Sequence, residues 1–153
     1  MIKLDGNVTM EEWGLNGKLL RSQCARNSIV ASGLNLSRDL LLGIGKGIQW
    51  MAIGQGLTTT GSDVHLTSEW LRQAPTSKLL NNNQITLKLF VPAISSVNGN
   101  VVDSAILASG GKGIATSATF PEDQVFAKVS LAAITKSEFV SLVLIWVVNT
   151  SVR

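Results

Sequence analysis

The 153-residue chain combines a hydrophobic fraction of 45% with a charged fraction of only 15% and a net charge of +3. A domain of this length buries enough surface to fold without a disulfide or a metal, and an intramolecular disulfide is excluded because Cys24 is the only cysteine. The basic residues form no run of the kind that binds nucleic acid, and no stretch reaches the ~18 apolar residues of a membrane helix. We therefore expect no specific nucleic-acid partner and no membrane partner. The low charge favours a protein that buries surface against other proteins.

The segment 1–26 predicts an N-terminal hairpin or arm. Asn16-Gly17 is a strong turn signal, because both residues tolerate positive φ. Apolar residues precede this turn, and loosely alternating residues follow it. The polar, turn-rich composition also fits an arm that reaches a neighbouring subunit. Residues 27–153 are expected to form the main domain.

One helix is predicted over about residues 28–42. Asn27 is a good N-cap candidate, and the apolar residues after it recur at spacings of three, four and seven, which place them on one broad helical face. Gly43 is positioned to end this helix in a left-handed C-cap.

The sequence predicts about eight short strands separated by turns. Residues 85–91 alternate between apolar and polar side chains, as in a strand with one buried face, and Pro92 ends that strand. His65–Trp70 is ambiguous between a helical turn and an extended segment. This pattern predicts a mainly β fold, an antiparallel β-sandwich or barrel-like domain carrying one helix. The other strands are expected at 48–53, 71–80, 101–108, 114–120, 125–133 and 139–148.

The C-terminal segment Phe139–Val148 is apolar on both faces of a strand. Such a strand must be covered on both sides, and it would be an aggregation site if left exposed. We expect it to lie in the centre of a sheet or close to a subunit contact.

No motif predicts catalysis, and we expect the protein not to be an enzyme. His65 is the only histidine and no G-x-S-x-G nucleophile elbow accompanies it. One cysteine and one histidine cannot supply the usual zinc ligands. The glycine-rich segment 56–62 lacks the lysine of a P-loop. We accordingly predict no catalytic residue, no metal site and no cofactor.

The four tryptophans are candidates for packing or for contacts with partners. Aromatic side chains are frequent in cores and in subunit interfaces, and we predict Trp13, Trp70 and Trp146 as interface residues. A carbohydrate-binding module that uses Trp70 and the loop 58–63 against host-surface glycans is an alternative.

Several short motifs follow one another in a characteristic order. "GLNLSRDL" begins at Gly33, "IQWMAIGQG" at Ile48 and "TSEWLRQ" at Thr67, and a closing strand runs from Lys136 to Trp146. Between them lie "NGNVVDSAILAS" and "IATSATFP". This order resembles a group of small tailed-bacteriophage virion proteins over about residues 27–148, and it is similar to the N-terminal attachment domain of some phage tail fibres. The segment 102–107 departs from the resemblance, since the family usually has a Glu-aGly-Leu-Phe element there.

The resemblance implies a structural role in virion assembly through protein–protein contacts. Tail, baseplate or tail-fibre association is the leading expectation, and a capsid decoration (cement) protein that stabilises the head is the alternative. Its partners would be other virion proteins, and its location would be a virion assembled in the host cytoplasm. Because the surface is expected to be too apolar for a free monomer, we also expect a symmetric homo-oligomer, such as a trimer.

Overall fold

The computed structural model describes residues 2–43, 47–60, 63–109 and 124–152. Within these ranges the chain forms ten strands and one helix. In chain order they are β1 (Ile2–Gly14), β2 (Leu19–Arg26), β3 (Ser28–Ile29), α1 (Ala31–Leu41), β4 (Trp50–Thr60), β5 (Asp63–Gln73), β6 (Ser77–Asn81), β7 (Gln84–Val91), β8 (Val101–Ser109), β9 (Gln124–Thr135) and β10 (Val140–Val152).

The fold is mainly β, with two antiparallel five-stranded sheets packed as a sandwich. We call the sheet with strand order β2-β1-β10-β7-β6 sheet A, and the sheet with order β3-β9-β8-β4-β5 sheet B. The predicted fold class is therefore confirmed in its sandwich form.

The core lies between the inner faces of the two sheets. Since successive strand residues point to opposite faces, every second residue of a central strand enters this core. Sheet A contributes Val8, Met10, Leu87, Leu89, Val91, Leu142, Leu144, Trp146 and Val148, and sheet B contributes Met51, Ile53, Ala105, Leu107, Ala127, Val129 and Leu131. Burial of this apolar surface is the main stabilising contribution.

The first 26 residues take the hairpin alternative. Gly17 has φ +76° in the turn, as the Asn16-Gly17 signal predicted. Strand β1 pairs with β10 from Ile2 to Gly14, and Val8 is fully buried. This hairpin is thus part of the sandwich itself.

Strand β10 lies in the centre of sheet A, between β1 and β7, as its apolar composition predicted. Its inward side chains, from Leu142 to Val148, are buried. The outward side chains Val143, Ile145 and Val147 are half-buried. The neighbouring strands therefore cover the outer face only in part.

Helix α1 begins three residues later than predicted. Asn27 does not cap it, because the next residues, Ser28 and Ile29, pair with β9 as strand β3. The helix starts only after this short strand, and the N-cap assignment of Asn27 is wrong. Gly43 has φ +71° and its N–H donates to the Leu40 carbonyl at 3.1 Å, so the predicted C-cap is confirmed.

The region 63–81 forms two strands, and the expected strand over 71–80 is wrong. Strand β5 includes the ambiguous segment His65–Trp70 in extended form and ends at Gln73. Strand β6 begins at Ser77. Pro75 lies between them and cannot donate to a sheet ladder. The strand expected at 114–120 lies outside the described residues.

A bulge in β5 brings two opposite charges to the same side of sheet B. Ile53 pairs with Leu71 but Gly54 pairs with Glu69, so Trp70 is an extra residue in β5. Gly54 is required at this site, because a Cβ there would lie 2.0 Å from the Ser68 carbonyl oxygen. Residues three apart on a regular strand point to opposite faces, and the extra residue removes that separation.

The resulting ion pair joins Glu69 and Arg72 inside the protein. The Arg72 Nε and Nη2 atoms both lie 2.9 Å from Glu69 Oε1. The side chains are only 1% exposed for Glu69 and 2% exposed for Arg72. This pair is therefore buried, in contrast with the half-exposed pair of Arg21 and Glu12.

A second buried cation closes the loop that follows β7. Lys136 is 1% exposed, and its Nζ donates to the Ala93 carbonyl at 2.8 Å, to Asn98 Oδ1 at 2.8 Å and to the Ser137 carbonyl at 2.6 Å. The Gly99 N–H also donates to the Lys136 carbonyl at 2.8 Å. Burial lowers the pKa of Lys136 from its ordinary value of 10.5.

Replacing Lys136 by Met should lower the free energy of unfolding by about 1–3 kcal/mol, because three acceptors lose their donor. Urea denaturation followed by tryptophan fluorescence measures this loss, and hydrogen exchange should show residues 93–99 opening. Lys88→Met is the matched control, since Lys88 is exposed. A loss equal to that of the control would contradict the role of Lys136 in closing this loop.

The lowered pKa of Lys136 also sets the sign of a pH effect. Below both pKa values the folded protein bears the full cost of the buried cation. As the pH rises through the lowered folded pKa towards 10.5, the folded state releases this proton before the unfolded chain does, so the wild type gains stability. The free energy of unfolding of the wild type should therefore rise relative to that of Lys136→Met as the pH increases over this interval.

Candidate functional site

An apolar groove opens at one end of the sandwich, between helix α1 and strand β6. Its volume is about 500 Å³. One wall is formed by sheet A at the end that carries Leu4 and Thr150. The other wall is formed by helix α1 and by Phe126 of β9. The groove is lined by Leu4, Leu36, Ser37, Leu40, Ile48, Lys78, Leu79, Leu80, Ile85, Leu87, Phe126, Val148 and Thr150.

The two edges of sheet A differ, which explains the position of the groove. At the β2 edge, Gln23 bridges to the other sheet. Its Nε2 donates to the Ala132 carbonyl at 3.0 Å and its Oε1 accepts from the Ala132 N–H at 2.8 Å. At the β6 edge all five residues are exposed. Sheet A is therefore tied to sheet B along β2 and open along β6.

Helix α1 is held against β9 by a close backbone approach. A Cβ at Gly33 would lie 2.2 Å from the Phe126 carbonyl oxygen, so only glycine fits there. The Val30 N–H donates to the same Phe126 carbonyl at 3.1 Å. This contact places Leu36 in the core and Leu40 at the groove.

Several large apolar side chains are exposed at the groove and next to it. Leu40 is 45% exposed, Leu79 61% and Leu80 74%, and Leu41 and Leu42 beside them are exposed as well. Large apolar patches on soluble proteins commonly mark interaction sites. Strand β6 adds an edge that pairs only with β7 among the described residues, and such an edge can pair with another chain.

A second set of exposed apolar side chains lies at the opposite end of sheet A. We define the apolar tip as Leu15, Leu19, Leu20 and Phe139, whose exposures run from 46% to 70%. Leu15 lies in the turn between β1 and β2, Leu19 and Leu20 are the first residues of β2, and Phe139 precedes β10 at the point where Gly14 pairs with Val140. The tip projects from the end of a hairpin, whereas the groove is concave.

The three tryptophans predicted as interface residues occupy different environments. Trp146 is fully buried in the core, so its side chain does not reach the surface of the folded chain. Trp70 is half-buried and donates its Nε1–H to the Val101 carbonyl at 2.8 Å. Trp13 is half-buried next to the apolar tip, opposite Leu19. The interface roles of Trp13 and Trp70 stay predictions.

The residues considered for other activities are dispersed or only partly described. His65 lies on β5 opposite Thr58. The loop expected at 58–63 is wrong in its bounds, because β4 continues to Thr60 and β5 begins at Asp63. The side chains of residues 58–63, which the glycan alternative requires, lie outside the described residues. In the described ranges, no three His, Cys, Asp or Glu side chains are grouped so that they could hold a metal ion. The helix in these ranges does not have the length and apolar character needed to cross a bilayer.

The residues predicted as interface residues do not include the groove leucines. The pairs Leu79-Leu80 and Leu41-Leu42 are adjacent apolar residues beside turns, and adjacent apolar residues on an edge strand cannot both face a core. That spacing is the signal that could have predicted an exposed patch. Its location also depends on helix α1 lying close to β6, which no local pattern predicts.

The fold and the groove define an antiparallel β-sandwich domain with an open apolar groove at one end. Comparison of the chain with protein-family models, with curated proteins and with solved structures finds no match. The resemblance to phage virion proteins therefore stays an expectation drawn from the order of the sequence motifs.

Proposed function

We propose that the protein is a bacteriophage virion structural protein that acts in assembly through protein–protein contacts, in association with the tail, baseplate or tail fibre. The observation that carries this proposal is the exposed apolar groove beside the open edge strand β6. Leucines in such a position need a protein partner to cover them.

Two further observations support an assembly role over a soluble binding activity. The described lining of the groove contains a single charged side chain, Lys78, whereas sites for polar small molecules place several polar groups around the ligand. The order of motifs, from Gly33 to Trp146, resembles that of virion proteins. The sandwich itself is a rigid scaffold that can present such a surface repeatedly.

Gold-labelled antibody against the purified protein, applied to intact phage particles from the host culture, tests this proposal. Label on the tail, baseplate or fibres is the expected result. Label confined to heads would overturn the tail association in favour of a decoration protein, and particles without label would contradict the virion role. Antibody absorbed beforehand with the purified protein is the control for background binding.

A further inference from the structure

The groove and the apolar tip lie at opposite ends of sheet A. The groove end is marked by Leu4, which pairs with Thr150, and the tip end by Gly14, which pairs with Val140. Ten residues of β10 separate Val140 from Thr150, a distance of ~33 Å at ~3.3 Å per residue. One copy of the chain therefore cannot place its own tip in its own groove.

Both surfaces are apolar, and the groove has room for side chains of the kind that the tip exposes. The groove is concave and aliphatic, with a volume of about 500 Å³. Since a cavity of ~150 Å³ accommodates one benzene molecule, this volume can hold on the order of three side chains of leucine size. The tip offers Leu15 in the turn and Leu19 and Leu20 at the start of β2.

The charges around the two surfaces permit this contact. Lys78 is an exposed cation in the described lining of the groove. Glu138 is exposed next to Phe139 at the tip end, where Lys18 is also exposed. The tip end thus carries both signs, and its carboxylate can face Lys78.

We propose that the protein assembles head to tail, with the apolar tip of one copy inserted in the groove of the next copy. This inference rests on the proposed assembly function and names a second copy of this chain as the partner at the groove. Because the two contacting surfaces differ, the interface is heterologous. Such an interface produces a ring if the rotation between copies closes and a filament if it does not.

The alternative arrangement is an isologous dimer in which two β6 strands pair with each other. Antiparallel pairing centred on Leu79 would extend sheet A across two copies, and it would leave the apolar tip unused. A dimer of this kind would stop at two copies. The two arrangements therefore differ in the residues that they need and in the mass that they reach.

Two single substitutions at exposed positions test the proposal. Leu15→Asp alters the tip and Leu80→Asp alters the groove, and their wild-type side chains are 70% and 74% exposed, so the folded monomer should be retained. Analytical ultracentrifugation should show the wild type growing beyond a dimer with concentration. Each variant alone should associate at least tenfold more weakly and remain a monomer at concentrations where the wild type assembles.

Mixing the two variants gives the decisive measurement. Leu15→Asp keeps an intact groove and Leu80→Asp keeps an intact tip, so an equimolar mixture should form a 1:1 complex that does not grow further. Phe90→Asp, which changes an exposed side chain on sheet A outside both surfaces, should associate like the wild type.

Four results would overturn the head-to-tail contact. They are a wild type that remains monomeric at high concentration, a dimer unaffected by Leu15→Asp, an equimolar mixture without a complex, and a loss in Phe90→Asp as large as in Leu15→Asp. Circular dichroism and the urea midpoint verify that every variant is folded. Antibody label on virions would still support the proposed function in each case, so the two proposals fail separately.

Discussion

Glu69→Leu and Arg72→Met should each lower the free energy of unfolding by about 3–5 kcal/mol, the typical loss when one partner of a buried ion pair is removed. Each substitution removes the Glu69–Arg72 contact from a charge that stays inside the protein. The geometry supports a large effect, because both contacts to Glu69 Oε1 are 2.9 Å long and both side chains are almost completely buried. Urea denaturation followed by tryptophan fluorescence measures the loss.

The double variant Glu69→Leu with Arg72→Met should be more stable than either single variant. Replacing a buried ion pair by apolar residues of similar volume is often neutral or stabilising, because the cost of removing both charges from water disappears. The double-mutant cycle should therefore give a coupling energy well above the ~0.2–1 kcal/mol of exposed pairs. Additive losses in the cycle would contradict a direct contact between the two side chains.

Arg21→Met is the matched control for this cycle. Arg21 Nε lies 2.8 Å from Glu12 Oε2, as close as the buried pair, but its side chain is 50% exposed. Removing it should cost less than about 1 kcal/mol. A comparable loss in this control would show that distance, and not burial, determines the effect.

The buried ion pair is a feature of the fold that local sequence patterns could not predict. Glu69 and Arg72 are three residues apart, so a regular strand would separate them. Their proximity depends on the bulge at Trp70, which in turn depends on the backbone approach that Gly54 permits. Neither feature has a period or a local motif by which it could be predicted.

The parts of the fold with strong local signals were predicted correctly. The turn at Asn16-Gly17, the C-cap at Gly43 and the alternation in β7 depend on backbone conformation and on side-chain periodicity within a few residues. The start of helix α1 was placed too early, because Ser28 and Ile29 pair with β9 about 100 residues later in the chain. Long-range pairing of this kind overrides a local capping preference.

The candidate site was predictable only in its general character. The low charge favoured a protein that buries surface against a partner, but the predicted contact residues were the tryptophans. Trp146 lies in the core instead, because β10 is the central strand of sheet A and its even-numbered residues face sheet B. An aromatic residue in an apolar strand fits both locations until the strand order is known.

Trp146→Ala should lower the free energy of unfolding by about 3–5 kcal/mol, as for other large side chains removed from a core. Trp146 is fully buried and is among the largest of the fully buried side chains described. Trp146→Phe should cost much less, about 1 kcal/mol, because most of the apolar volume stays. The indole N–H has no hydrogen-bond partner in the described part of the chain. Trp146→Phe therefore removes no hydrogen bond to that part of the chain.

The two Trp146 variants also separate a core role from an interface role. Unfolding is followed by circular dichroism, since the substitution removes a fluorophore, and self-association of the folded fraction is measured by ultracentrifugation. If Trp146 acts only in the core, its substitution should reduce stability and leave the association constant of folded molecules within about twofold of the wild type. Unchanged stability with weakened association would contradict the core position and restore Trp146 as a contact residue. Because the proposed contact instead uses leucines at the two ends of sheet A, Leu15→Asp should show the opposite pattern, with association lost and stability retained.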